Sequence, residues 1–207
     1  MNIGEIKRQA LQLIFPELEL SFDESDNEAT NEKIRALRCD PSLRGYLDAS
    51  VPAINRAISI IEAKGLSRTK SKQITVYGKI INGGVMISQA EEYGDIYLLK
   101  EAYQNGKSIA FEYKNGALII YAKAGSVCDL VYKERLPRIY SFTPDSFQLD
   151  LEREVAEIIP YFLKGEMQIS EDHECATSAI KRFYELLDIL VCKEKAQNSV
   201  EPVYFTR

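Results

Sequence analysis

The sequence predicts an α+β protein: N-terminal helices, an inserted small antiparallel β lobe, two C-terminal antiparallel helices and an extended C-terminal tail. Three observations predict it. Apolar residues recur at helical spacing at both ends of the chain. Between about residues 70 and 140 the period shortens to brief β-branched and aromatic runs. The last dozen residues lose periodicity. The expected organisation is an N-terminal helical segment over residues 1–69, the β lobe over 70–145, a helical hairpin over 146–195 packing with the first segment as one domain, and a tail over 196–207. With 207 residues, 45% hydrophobic and 28% charged, the chain can form a core without disulfide or metal staples. That composition excludes a disordered or collagen-like chain.

In the first helix Ile3, Ile6, Ala10, Leu13 and Ile14 form an apolar stripe, with Glu5, Lys7, Arg8 and Gln12 expected on its solvent side and Pro16 ending it. Residues 17–32 carry Glu17, Glu19, Asp23, Glu24, Asp26, Glu28 and Glu32 and no Lys or Arg. They read as a solvated loop or weak helix, because the spacing fails the calcium-loop pattern and no glycine supports its turn. The charge then reverses. Residues 33–79 hold ten Lys or Arg against Asp40, Asp48 and Glu62, a net of +7. The opposed blocks can pair within one chain or across the subunits of an oligomer, where charge sets register more than affinity. Asp40-Pro41-Ser42 signals a helix start, and Ser50 reads as the N-cap of another, with Pro52 in its first positions. Val51, Ile54, Ala57, Ile58 and Ile61 give its stripe, and Gly65 its C-terminal cap.

The β lobe is read from the runs at residues 73–77, 96–99, 108–113, 117–121 and 129–132. Asn115-Gly116 is a two-residue hairpin signal, since a type I′ turn needs positive φ twice. Asn82-Gly83-Gly84 and Asn105-Gly106 supply further turns. Residues 108–114 read as one half-buried antiparallel strand, with Ile109, Phe111 and Tyr113 on one face and Glu112 and Lys114 on the other. Beyond Asp150, Leu151, Val155, Ile158, Ile159, Phe162, Leu163 and Met167 make a wide helical stripe that Pro160 is expected to bend. A second helix starts near Asp172 on Ala176, Ile180, Phe183, Leu187 and Leu190, a spacing suited to an antiparallel neighbour. The tail, Ala196 to Arg207, carries Val200, Val203, Tyr204 and Phe205, costly to leave wet and therefore the candidate partner-binding residues.

Chemistry is scarce. There is one histidine, no tryptophan, no phosphate loop, no Gly-x-Gly-x-x-Gly and no Gly-x-Ser-x-Gly. Cys39, Cys128, Cys175 and Cys192 lack Cys-x-x-Cys spacing, and His173 with Cys175 forms no second ligand pair, so no metal site is expected. Cys175 and Cys192 share the last helix, roughly 25 Å apart at helical rise, too far for a disulfide. Free thiols are expected. The sharpest catalytic set is nuclease-like: Asp95 at a strand start, and Glu112 and Lys114 on one strand face, where they would hold Mg²⁺ and orient water. Glu-x-Lys is frequent by chance and that face is expected to be solvated. Asp150, Glu152, Glu154 and Glu157 suit the dipole of a helix start. Net charge is −5, against a binder working through overall basicity. No apolar run reaches membrane length and the start lacks a signal-peptide pattern, so a mature cytoplasmic chain is expected.

The segment Glu152 to Met167, then Ala179-Ile180-Lys181-Arg182-Phe183-Tyr184-Glu185-Leu186-Leu187, sets an acidic turn before an apolar stretch with aromatics and a small residue, then a helix with a central aromatic pair. With the short-helix segments Ile3 to Leu11 and Ala53 to Ile58, and with the order of elements, this resembles the head–tail connector (adaptor) proteins of tailed bacteriophages, of the tail tubular protein A type. The likeness covers about two-fifths of the chain, and the β lobe departs most. It implies a non-enzymatic virion structural protein without cofactor, catalytic or metal residues. Such a protein would form a homo-oligomeric ring, commonly a dodecamer, beneath the portal protein. It would extend the DNA channel toward tail or neck proteins, with only non-specific contact to channel DNA. Its place would be the virion neck, and the host cytoplasm during assembly. The alternatives are a cytosolic binding or regulatory module and a Mg²⁺-dependent nuclease built on Glu112.

Overall fold

The computed structural model describes residues 1–18, 27–87, 94–114 and 117–198. The chain is α+β and divides into two compact units: Met1–Leu66 with Pro137–Arg207, and Ser67–Leu136. The boundaries thus fall at 66/67 and 136/137, where the sequence placed them at 69/70 and 145/146.

The first unit is helical. Its elements are α1 (Ile3–Ile14), α2 (Asn27–Leu37), α3 (Pro41–Ala63), α4 (Arg153–Ala156), α5 (Ile159–Gln168) and α6 (His173–Asn198). Asn2 caps α1, its side chain accepting from Glu5 N–H at 2.7 Å. Ile3, Ile6, Ala10 and Leu11 are fully buried. The expected solvent side of α1 is half wrong: Glu5 and Lys7 are each only 2% exposed. The segment after Ile139 covers them. Ile3 N–H and Gly4 N–H donate to the carbonyls of Phe147 and Asp145, and Lys7 Nζ ion-pairs with Asp145 at 2.5 Å. Burial raises the Glu5 carboxyl, but hydrogen bonds from Arg8 and Gln9 and the Arg8 charge outweigh it and hold it below its usual range.

Asp40 caps α3, accepting from Ser42 N–H at 2.9 Å. At the other end Gly65, at φ +74°, donates to Glu62 and Leu66 donates to Ile61. This 5→2 and 6→1 pair is a Schellman motif, and its αL residue is where glycine is needed. Between the caps α3 runs unbroken through Pro52, so Ser50 is no N-cap. Its Oγ instead donates to the Leu47 carbonyl one turn back, at 2.6 Å. Packing overrides the proline: Leu43, Leu47, Ala53, Ile54, Ala57, Ile58 and Ile61 lie on one buried side, and each fully buried aliphatic side chain is worth about 1.5–3 kcal/mol. The chain returning at Pro137 is laid along α3. Asn55 Nδ2 donates to Ile139 O at 2.8 Å, Ile139 N–H donates back to Asn55 Oδ1 at 3.0 Å, and Arg138 meets the buried Glu62 at 2.8 Å.

Pro160 does not bend one closing helix; it opens a second. α4 stops at Ala156, Glu157 and Ile158 form a turn, and Pro160 sits in the first turn of α5, where its missing N–H is no loss. The apolar stripe persists across the break, with Val155, Ile158, Ile159, Phe162, Leu163 and Met167 all buried. α5 packs on α6 through Phe162 and Phe183, whose ring centroids lie 5.0 Å apart.

The second unit holds two four-stranded antiparallel sheets. One has the order β1 (Thr69–Thr75), β8 (Val127–Glu134), β4 (Ile96–Gln104), β5 (Lys107–Ser108). The other has the order β2 (Lys79–Ile81), β3 (Gly84–Ile87), β7 (Ala117–Ile120), β6 (Phe111–Lys114). Both feed one apolar cluster, with Ile74, Leu99, Cys128 and Leu130 from the first sheet and Val85, Ile87, Leu118 and Ile120 from the second. The single strand expected over 108–114 is in fact two. Ile109 N–H still pairs with Ala102 O of β4, whereas Ala110 O accepts from Tyr121 N–H just beyond β7. The chain changes sheets between them. Asn115 and Gly116 lie outside the described residues, but Lys114 pairs with Ala117 across that turn.

Candidate interaction surface

The nuclease-like set does not converge. Asp95 accepts from Lys72 Nζ at 2.7 Å and from Tyr132 Oη at 2.8 Å. Burial raises its carboxyl, but the bonds from Lys72 and Tyr132 and the Lys72 charge bring it below the usual range. In turn Tyr132, buried and facing that carboxylate, is pushed up to about 12. Glu112 lies on β6 of the other sheet and accepts from Tyr121 Oη at 2.9 Å, while Lys114 is exposed at the strand end. Among the described residues no group of three or more His, Cys, Asp or Glu side chains is placed to hold a metal ion. His173 and Cys175 stand exposed in the first turn of α6, where Asp172 accepts from Cys175 N–H at 3.0 Å. Cys39, Cys175 and Cys192 are exposed thiols, and Cys128 is a buried one raised by desolvation.

Part of the basic segment finds partners within its own unit. Arg44 pairs with Asp48, Arg56 with Glu166 and Lys64 with Asp188 in the helical unit; Lys70 pairs with Glu134 and Lys72 with Asp95 in the β unit. Most of the acidic block, from Glu19 to Asp26, lies outside the described residues.

Of the predicted tail, Ala196 to Asn198 belong to α6, so the helix runs three residues past its expected end. Val200, Val203, Tyr204 and Phe205 lie outside the described residues. The surface the structure offers instead is a groove of about 310 Å³ between α4–α5 and α6. Its floor is Ile158, Tyr161, Leu186, Ile189 and Leu190; Glu154, Glu157 and Arg182 form the rim. Leu186, Ile189 and Leu190 sit at i, i+3 and i+4 and so share one face of α6. Ile189 is 61% exposed. Arg153–Glu157, Arg182–Glu185 and Lys193–Glu154 ion pairs occupy the polar residues around the groove, leaving its floor apolar. The sequence stripe stopped at Leu190 as a core residue. Leu186 and Ile189 widen the apolar band past what one neighbouring helix can cover, and that excess width was the available signal. An apolar floor with a charged rim has the make-up of a patch that can receive the side chains of an apolar protein segment. No helix among the described residues is long and apolar enough to cross a membrane.

No family model matches the chain, and no curated protein sequence matches it.

Proposed function

We propose that this chain is a non-enzymatic assembly protein of the head–tail connector type, forming a homo-oligomeric ring beneath a portal protein and continuing the DNA channel toward the tail. One observation carries the reading: the long closing helix α6 presents an apolar, ion-rimmed groove on the same helix that leads into the apolar C-terminal segment. A docking helix of this kind, in a chain whose Asp95 and Glu112 carboxylates are engaged by Lys72, Tyr132 and Tyr121, serves contact between proteins. The order of elements supports the same reading, with helices on either side of an excursion into β structure. The segment holding Val200, Val203, Tyr204 and Phe205 would be the partner-seeking part, and α4–α6 the wall. The test is electron microscopy and light scattering of the purified protein, alone and mixed with portal. Rings, or rings capping portal, are the expected result. A monomer that ignores portal overturns the reading.

A further inference from the structure

The helical unit contains a second concavity, of different chemistry. It lies between α2 and the loop after Tyr140, has a volume of about 330 Å³, and is lined by Asn31, Arg35, Arg38, Ser141, Phe142, Thr143, Pro144 and Asp145. That is the small end of the range for small-molecule sites. Its loop is fixed before any ligand arrives. Asn31 and Ser146 exchange two hydrogen bonds, at 3.0 and 3.1 Å, Lys7 holds Asp145, and Tyr140 N–H donates to Thr143 Oγ1 at 2.9 Å.

Two features of this cleft suit a ligand. The first is cationic. Among the described residues, Arg35 in the last turn of α2 and Arg38 just beyond its end have no carboxylate partner, and Arg38 Nε is buried without a hydrogen-bond acceptor. Two guanidiniums lining one cleft without carboxylates give it a positive field that favours an anion. Asp145, the cleft's own carboxylate, is already neutralised by the buried Lys7. The second is aromatic. Phe142 is 82% exposed and lies parallel to Tyr140, itself 56% exposed, with ring centroids 5.3 Å apart and 3° between planes. A pre-stacked aromatic pair turned to solvent is a platform for another flat ring.

We propose that this cleft binds a nucleoside phosphate, free or as one unit of a single strand, with the phosphate on the Arg35 and Arg38 guanidiniums and the base on the open face of Phe142. Guanidinium forks match phosphate oxygens in pairs, and the Ser141 and Thr143 hydroxyls line the same wall as further donors. A duplex cannot satisfy both halves, because its bases are stacked inside and cannot reach Phe142. An acidic peptide satisfies the arginines but leaves the platform bare. The inference is independent of the connector reading, since ring formation is measured separately.

The test is fluorescence anisotropy of a labelled oligothymidylate of about ten nucleotides, the usual span of a single-strand site. Binding by the full chain is expected, displaced by unlabelled oligonucleotide and far less by duplex DNA or polyglutamate. Displacement by thymidine monophosphate assigns the free nucleotide as ligand; resistance to it assigns the strand, and both support the site. Phe142→Ala, at an exposed ring, should weaken binding roughly tenfold. Arg35→Gln with Arg38→Gln should abolish it, with thermal melts confirming a folded chain. Arg38→Lys, keeping charge but losing the fork, should restore only part. No binding, equal displacement by duplex or polyglutamate, or full binding by the folded double variant each overturns the assignment.

Discussion

Gly165 of α5 and Ile180 of α6 meet so closely that a methyl group on Gly165 would lie 2.4 Å from Ile180 Cγ1 and 2.9 Å from the Ala176 carbonyl oxygen. The second atom is backbone and cannot step aside, so the helix crossing itself requires the bare Cα. Gly165→Ala should therefore destabilise the helical unit by about 1–3 kcal/mol despite alanine's better helix propensity. Chemical denaturation of the two proteins checks it; an equal or higher midpoint for the variant contradicts the crossing.

Pro52 offers the opposite case. It sits exposed in the middle of the 23-residue α3, where it donates no hydrogen bond. Proline in a helix interior costs about 3 kcal/mol, partly offset by its stiffening of the unfolded chain. Pro52→Ala should raise the thermal midpoint, by a net gain of about 1–2 kcal/mol. A lower midpoint would mean that the ring itself holds α3 in place.

The Tyr132–Asp95 bond sets an alkaline limit on the β unit. Tyr132 ionises near 10 in an unfolded chain and at about 12 in the folded one, because burial and the facing carboxylate disfavour its anion. The folded state therefore holds this proton where the unfolded state has released it. Its stabilising effect is complete below pH 10 and disappears as pH rises from 10 to 12. Melts followed across that window should fall more steeply for the natural protein than for Tyr132→Phe. At neutral pH the same variant should lose about 1 kcal/mol, the ordinary worth of one hydrogen bond. Parallel curves for the two proteins contradict the coupling.

Assembly separates two origins of a ring. If the opposed charge blocks join subunits, the oligomer should weaken as salt screens exposed pairs beyond about 8 Å. Arg44, Arg56, Lys64, Lys70 and Lys72 already have partners within the chain, so the proposed ring would rest more on the α6 groove than on these charges. Oligomer mass should then be nearly indifferent to salt. Ile189→Glu, placing a carboxylate on the apolar floor, should weaken association at least about tenfold, or 1.4 kcal/mol. Light scattering on both proteins at low and high salt decides between the two origins.

What was legible in the sequence was local. Asp40 and Gly65 mark the true ends of α3, because a cap acts over three or four residues and its chemistry is written beside it. The stripe from Leu151 to Met167 was legible for the same reason. Glu5 and Lys7 were misplaced because the residue that buries Lys7 is Asp145, 138 positions away. Ser50-Val51-Pro52 carries a sound local start signal that tertiary burial of Leu47, Ala53 and Ile54 overrules. The change of sheets at Ile109–Ala110 could not be read from alternation, since alternation continues across it. The arginine cleft was invisible for a similar reason: Arg35 and Phe142 become neighbours only when Asn31, Asn55 and Lys7 fasten the returning chain.

The β unit begins and ends on paired strands. Arg68 O accepts from Glu134 N–H, and Lys133 Nζ reaches Ser67 O at 2.8 Å, so some seventy residues leave and return at one place. A growing chain emerging from the ribosome would thus complete this unit as soon as β8 appears. The helical unit has no such freedom. α1 and α3 bury their apolar sides against α5, made more than a hundred residues after Ala10. During synthesis the N-terminal helices must wait, with Ile6, Ile54 and Ile58 short of their α5 partners, while a finished β unit separates them in the chain from those partners. The interval in which this protein is most open to misassociation is therefore written into its topology, and it closes only when α5 and α6 arrive.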